Sequence, residues 1–409
     1  MEARNNPYSP GAGVRPVELA GRDQEIEAFD VLRHRAMAGR PAQSMVLYGL
    51  RGVGKTVLLN ELADAARQDG WIVGKIEADL GSGRTPFRNQ VAATLNAALR
   101  HARGKPKSAG RFQAALRTFK SFSLGAAPDG TLSIGIELDP ERGRADTGSL
   151  QADLSDLAID LGGAAVELGV GTVLLIDEMQ HLDLDELAAI CQACHETVQR
   201  NLPFFVIGAG LPNLPGVLAE AKSYSERLFH YVRIDRLQRA DAIVALTAPA
   251  VEESVGWDED AVDLVVDASG GYPYFIQQFG QTSWTAAGES PINVIDAEDG
   301  IRRGRELLDD GFFRARWERA TPGEREYLAA MADDGEGPSS TGEVAQRLRK
   351  KQASLGPVRA NLISKGLVYS PEHGQIAFTV PGWRSSFRGT TSSDTRLNLR
   401  RMDDEPVGD

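Results

Sequence analysis

Two cysteines in 409 residues are too few for a disulfide framework, so a reducing cytoplasm is the natural compartment. Long hydrophobic runs are missing as well. The longest, at 173–176 and 202–211, fall far short of the ~18 residues that span a bilayer, and no membrane partner is expected. The N-terminus lacks a basic-then-apolar pattern, so no leader is expected. Positive charge is in the minority, with 45 Lys and Arg against 57 Asp and Glu and a net charge of −12. That balance excludes a nucleic-acid-binding surface spread over the whole molecule and leaves room only for a local basic module. No internal repeat is present. What remains is an ordinary globular composition, 42% hydrophobic and 25% charged, with length for about two to four domains. Glycine is plentiful, at 43 residues, so tight turns matter.

Residues 1–16 are rich in Pro, Gly and Asn and read as an extended lead-in. Asp23 caps a helix running to Arg35, which completes a first segment, 1–40. Strands and helices then alternate: a strand at 44–48, a helix at 55–68, a strand at 71–78 and a helix from Thr85-Pro86 to about Arg103. After a break come a helix through Leu154 and Leu168 that ends at Gly169, a strand at 172–176, a helix at 183–200, and strands at 204–207 and 230–234. This alternation predicts an α/β fold with a parallel sheet covered on both faces, spanning 41–237. In the break, about 104–148, stretches at 121–124 and 131–138 flank the turn signature Pro128-Asp129-Gly130 and predict a β-hairpin insert. From Gln238 the pattern is helical only, to about 320, with Asp258 capping one helix and Pro273 starting another. A further unit at 321–388 has three helix signals and a terminal hairpin, and 389–409 is a polar tail expected to be disordered.

The strongest motif is Gly49-Leu50-Arg51-Gly52-Val53-Gly54-Lys55-Thr56, a G-x-x-x-x-G-K-[ST] loop between a predicted strand and a predicted helix. The glycines let main-chain N–H groups curl around nucleotide phosphates, and the helix N-terminus adds positive potential. Lys55 places a charge on the terminal phosphates, and the Thr56 hydroxyl is a ligand for Mg²⁺. A second motif supports the first. The apolar strand Val173-Leu-Leu-Ile176 ends in Asp177-Glu178, and ligands of parallel sheets sit beyond such C-terminal strand ends. Asp177 suits the Mg²⁺ shell and Glu178 suits polarising an attacking water, which together predict hydrolysis of the terminal phosphate of a bound nucleotide.

Together these residues resemble the AAA+ and STAND branches of P-loop ATPases, especially the replication-initiator and archaeal-type groups, over most of 14–388. The resemblance implies that the nucleotide is ATP, hydrolysed to ADP and phosphate, and that 238–320 is a helical lid. It also implies that Val17 and Arg22, in Pro16-Val-Glu-Leu-Ala-Gly-Arg22, lie near the base or ribose. Arg227, within Tyr224-Ser-Glu-Arg-Leu-Phe229, would be an arginine finger reaching the γ-phosphate of a neighbouring subunit in a homo-oligomer. Two departures stand out. The strand after the Asp-Glu strand ends in Gly208-Ala209-Gly210, where the family often carries a polar sensor, with Asn213 the nearest substitute. The lid turn Gly270-Gly271-Tyr272-Pro273-Tyr274-Phe275 lacks the arginine often used there. Both departures point to slow turnover or a nucleotide-dependent switch.

Residues 321–388 resemble a winged helix-turn-helix. Thr321 caps a first helix at 322–331, Thr341 starts a second at 342–350, Ser354 starts a third, and 368–380, turning at Glu372-His373-Gly374, forms the wing. Between Glu343 and Arg388, eight basic residues face only Glu343 and Glu372, the footprint of duplex DNA binding. Lys350, Lys351, Arg359, Asn361 and Arg384 are the expected DNA contacts. The alternative is a signalling or defence switch whose winged helix binds a protein partner. Cys191-Gln-Ala-Cys194-His195 matches the c-type haem pattern. It lies in a helix whose Leu187, Ile190, Cys191, Cys194 and Val198 form one apolar stripe, so the cysteines are expected in the core.

Overall fold

The computed structural model describes residues 1–78, 85–102, 110–126, 139–335, 337–380 and 382. In chain order the elements are α1 (Asp23–Met37), β1 (Ser44–Tyr48), α2 (Lys55–Gln68), β2 (Ile72–Glu77), α3 (Phe87–Ala102), α4 (Gly110–Ala126), α5 (Leu150–Leu168), β3 (Thr172–Asp177), α6 (Leu184–Gln199), β4 (Phe204–Gly210), α7 (Leu214–Ala221), α8 (Ser225–Leu228) and β5 (Phe229–Arg233). Helices α9 (Arg239–Glu252), α10 (Glu259–Ser269), α11 (Pro273–Ala286), α12 (Val294–Leu307) and α13 (Arg314–Glu318) follow. The last elements are α14 (Pro322–Ala332), β6 (Ser339–Ser340), α15 (Thr341–Arg347), α16 (Gly356–Ser364), β7 (Val368–Tyr369) and β8 (Gln375–Phe378). Contacts group them into two units, one of 8–249 with 270–277, the other of 1–7, 250–269 and 278–409.

The first unit is built on a five-stranded parallel sheet of order β2-β3-β4-β1-β5. Every residue of β3 and β4 is buried, as expected of strands covered on both sides. Alternate side chains feed two cores. Met45, Leu47, Val173, Leu175, Phe205 and Ile207 pack with α1 and α2, whereas Val46, Leu174, Ile176, Phe204 and Val206 pack with α3 to α7. Local signals set the helix ends. Asp183 and Glu186 form a capping box at the start of α6, a device worth about 1 kcal/mol. Gly169 ends α5 at φ 63°, in the left-handed region that suits glycine.

Two expectations are corrected here. Asp23 is the first residue of α1, and Arg22 occupies the capping position without a side-chain cap. The stretch 121–124, predicted as a hairpin strand, is the C-terminal part of α4. Phe112, Ala115, Leu116, Phe119 and Phe122 are all buried, a three-and-four spacing that puts them on one helical face. The second predicted hairpin strand, 131–138, lies outside the described residues.

In the second unit a three-stranded antiparallel sheet of order β6-β8-β7 accompanies α14, α15 and α16, the arrangement of a winged helix. Thr321 and Glu324 form a capping box at α14, with Pro322 in the first turn. The second helix, predicted through 350, stops at Arg347. Leu348 is its C-cap and Arg349 has φ 52°, so Lys350 and Lys351 lie on the turn that follows. A short 3₁₀ turn, Gln352–Leu355, takes up the predicted start of the third helix. No helix among the described residues is long and apolar enough to cross a membrane.

Candidate nucleotide site

Sheet register brings the two motifs to one edge. Tyr48 pairs with Gly210 and Ile176 with Gly208, so Glu178 comes level with Gly210 on one side of β4 and the phosphate loop leaves β1 on the other. Gly49 N–H donates to the Gly210 carbonyl at 3.1 Å, which continues the ladder into the loop. A Cβ on Gly49 would lie 2.0 Å from the Ile234 carbonyl oxygen, so only glycine fits. Gly54 precedes α2 at φ 91° and provides no side-chain cap, which leaves the first-turn N–H groups open to an anion. The lid turn meets the loop as well: Tyr274 N–H donates to the Gly52 carbonyl at 3.3 Å.

Lys55 Nζ donates to the Gly49 and Leu50 carbonyls at 2.9 and 2.7 Å, closing the loop around its own ammonium. Burial pushes its pKa down to about 8, against the pull of Glu178 and Asp177. Thr56 is half-buried beside it. Asp177 is 5% exposed, and its Oδ1 accepts the Glu178 N–H at 2.9 Å. Glu178 sits at φ 49°, a conformation that costs a non-glycine residue about 1–3 kcal/mol and that clusters at functional sites. Its Oε2 accepts from Gln180 Nε2 at 2.5 Å and faces Arg51 Nη2 at 3.5 Å. Burial alone would raise its pKa, yet Arg51, Gln180 and Lys55 hold it below the usual carboxylate value. The hydroxyl of Thr56 and the carboxylate of Asp177 are hard oxygen donors that fit Mg²⁺.

Lys55, Asp177 and Glu178 thus converge. Arg22, Val17 and Arg227 have different surroundings. Arg22, 6% exposed, donates to the carbonyls of Gly21, Val53 and Asp235 at 3.0, 2.9 and 2.8 Å. It braces the phosphate loop against the exit of β5, with its donors directed at main chain. Val17, 43% exposed, and Arg227 on α8 make no side-chain hydrogen bond or ion pair among the described residues. Sequence reasoning missed Gln180 and the ion pair of Arg51. The available signal was the pair of glycines at 208 and 210, which vacates space opposite the turn after Asp177-Glu178.

The winged helix differs from its sequence outline. Lys350 Nζ donates to Glu326 at 2.8 Å, Lys365 Nζ to Glu324 at 2.6 Å, and Arg347 Nη1 to Asp334 at 2.7 Å. Arg359 is turned to the wing, with Nη2 donating to Ser370 Oγ at 2.7 Å and to the Gln375 carbonyl at 3.4 Å. Arg349, Lys351 and Asn361 are exposed, without a side-chain hydrogen bond or ion pair among the described residues. Arg384 lies outside the described residues. Cys191 and Cys194 are buried in the core beside the sheet, and burial pushes both thiols up to about 12. Among the described residues no group of three or more His, Cys, Asp or Glu could hold a metal ion by itself.

Two family models match parts of the chain. Residues 18–207 match the AAA ATPase domain family, and residues 310–385 match a domain of unknown function. No protein of curated function matches the chain in sequence. Among solved structures, the Walker-type ATPase of Pyrococcus abyssi is similar, at 15% identity and TM-score 0.57 over 91% of this chain and 97% of that one. The Aeropyrum pernix Orc1 protein in complex with DNA gives 16% identity and TM-score 0.44 over 94% and 95% of the two chains. The Thermotoga maritima RuvB Holliday junction branch migration motor gives 14% and 0.43 over 95% and 99%. With its glycine loop at the end of β1 and its paired carboxylates at the end of β3, this chain resembles the AAA ATPase domain family over residues 18–207.

Proposed function

We propose that the protein binds Mg-ATP at the ends of β1 and β3 and hydrolyses it slowly to ADP and phosphate, using the nucleotide state to control its winged helix. One observation carries the reading: Lys55, Asp177 and Glu178 lie at one sheet edge, beside an α2 whose first turn is open. Main-chain N–H groups of 49–56 take the phosphates, and Lys55 exchanges its two loop carbonyls for phosphate oxygens. Glu178 orients a water whose oxygen attacks the γ-phosphorus. The bond from that phosphorus to the bridging oxygen breaks, ADP leaves, and the proton of the water passes through Glu178 to solvent. Mg²⁺, held through Thr56 and Asp177, supplies charge neutralisation on the phosphate oxygens. Arg227, exposed on α8, is available to a second copy of the chain as its finger.

For the winged helix, duplex DNA remains the reading if Arg349, Lys351 and Asn361 form the contact. The pairing of Lys350, Arg359 and Lys365 inside the module favours the second reading, a nucleotide-gated switch whose winged helix binds protein. Phosphate release by the full chain, with and without duplex DNA, tests both. Glu178→Gln should lower kcat by about 100-fold or more while ATP still binds. Turnover that changes with DNA in a salt-sensitive manner selects the first reading. Turnover indifferent to DNA, with no DNA bound, selects the switch. Turnover in Glu178→Gln equal to the wild type overturns the hydrolytic reading.

A further inference from the structure

The strand that separates the phosphate loop from Glu178 supplies no polar side chain, because β4 ends in Gly208-Ala209-Gly210. The space is filled from the next turn. A Cβ on Gly208 would lie 2.3 Å from Met179 Sδ, and one on Gly210 would lie 2.5 Å from Gln180 Oε1. The two glycines therefore let the turn after β3 fold over the end of β4, with Met179 buried and the Gln180 amide against the main chain.

The orientation of that amide is forced. Leu211 N–H, immediately after β4, needs an acceptor, and Gln180 Oε1 provides it at 3.0 Å. The opposite end must then be the nitrogen, which donates to Glu178 Oε2 at 2.5 Å and faces His181 Nε2 at 3.3 Å. One tautomer satisfies the imidazole: Nε2 accepts from Gln180, and Nδ1–H donates to the Ala78 carbonyl at 3.2 Å, just past β2. Gln180 thus links the ends of β2, β3 and β4 to one carboxylate oxygen. Arg51 faces the same oxygen. The other oxygen, Oε1, takes no hydrogen bond among the described residues and is the one left to orient a water.

We propose that Gln180 is a positioning residue for Glu178, standing in for the polar side chain that β4 does not supply. It rests on the hydrolytic reading above. Gln180 acts through Glu178 by holding one carboxylate oxygen in register with the strand ends, so that the free oxygen faces the attacking water. The strain of Glu178 at φ 49° makes this tether matter, because a residue in that region keeps its conformation only when its surroundings over-determine it.

The test separates turnover from binding. Gln180→Leu removes all three hydrogen bonds of the amide at similar length. Gln180→Glu keeps an acceptor for Leu211 N–H but sets a carboxylate against Glu178, and it decides the matter if Gln180→Leu does not fold. Phosphate release gives kcat, and titration with a fluorescent ATP analogue gives Kd. Both variants should lose about 10- to 100-fold in kcat, with Kd within about twofold of the wild type. If Glu178→Gln is inactive and the Gln180 variants turn over at the wild-type rate, the inference falls alone. If Kd weakens with kcat unchanged, Gln180 serves nucleotide binding and the inference also falls. Wild-type turnover in Glu178→Gln would overturn the hydrolytic reading and the inference together.

Discussion

The nucleotide site and the winged helix draw on the same residue types and use them in opposite ways. At the sheet edge, charges of both signs converge on a region where neither is fully matched. Lys55 is held by two carbonyls of its own loop, and among the described residues Arg51, at 3.5 Å, is the cation paired with Glu178. In the winged helix three of the basic residues have individual acidic partners. Glu326, Glu324 and Asp334 meet Lys350, Lys365 and Arg347. Charge that can serve a ligand is charge left over after the fold has taken its share. Over 321–388 nine basic residues face seven acidic ones, a far smaller excess than the shorter window from Glu343 implies.

Three substitutions probe this contrast. The largest effect belongs to Gly49→Ala. Its Cβ would sit 2.0 Å from the Ile234 carbonyl oxygen, main chain that cannot swing aside. ATP binding should be lost, and thermal melting should show a cost of about 3 kcal/mol or more. Lys55→Ala should come next. Its partners are carbonyls that water can satisfy, so the fold should survive with little change in melting temperature, while affinity for ATP falls by about 100-fold or more. A melting temperature that drops as far as that of Gly49→Ala would make Lys55 structural and erase the contrast. Lys365→Met acts on the other region. It leaves the Glu324 carboxylate, 3% exposed, without its cation and should destabilise the winged helix by about 1–2 kcal/mol, with ATP turnover unchanged.

Sequence alone located the nucleotide site because its signals are local. Glycines at 49, 52 and 54 and carboxylates at 177 and 178 are set by main-chain geometry within a few residues. The winged-helix pairs were hidden because Lys350 and Lys365 meet acids 24 and 41 residues away, and such pairings arise only once α14 packs on α15 and α16. The error at 121–124 has a different cause. Pro128-Asp129-Gly130 is a strong turn signature, and it drew the reading toward a hairpin over the helical spacing of Phe112, Leu116, Phe119 and Phe122. Gln180 escaped notice because its role depends on what Gly210 lacks. A glycine whose missing Cβ makes room for a neighbour's amide leaves no mark in the pattern of polar residues.

The smallest effect is also the most selective. Glu324 lies in the α14 capping box and accepts from Lys365 Nζ and from Thr321 N–H. Burial would raise its pKa, but these donors hold it below the ordinary value. A carboxylate depressed in the folded state adds stability above its unfolded pKa and loses it as pH falls through the folded one. The second unit should therefore melt earlier as pH drops below the usual Glu value. Asp334, depressed by its hydrogen bond from Arg347, adds to the same slope. In Lys365→Met the sign for Glu324 should reverse, because burial then dominates and protonation relieves it. Melting curves of the two proteins from neutral to acid pH should converge. Curves that stay parallel would mean that Lys365 leaves Glu324 unaffected and that its charge is as available to a ligand as that of Lys351.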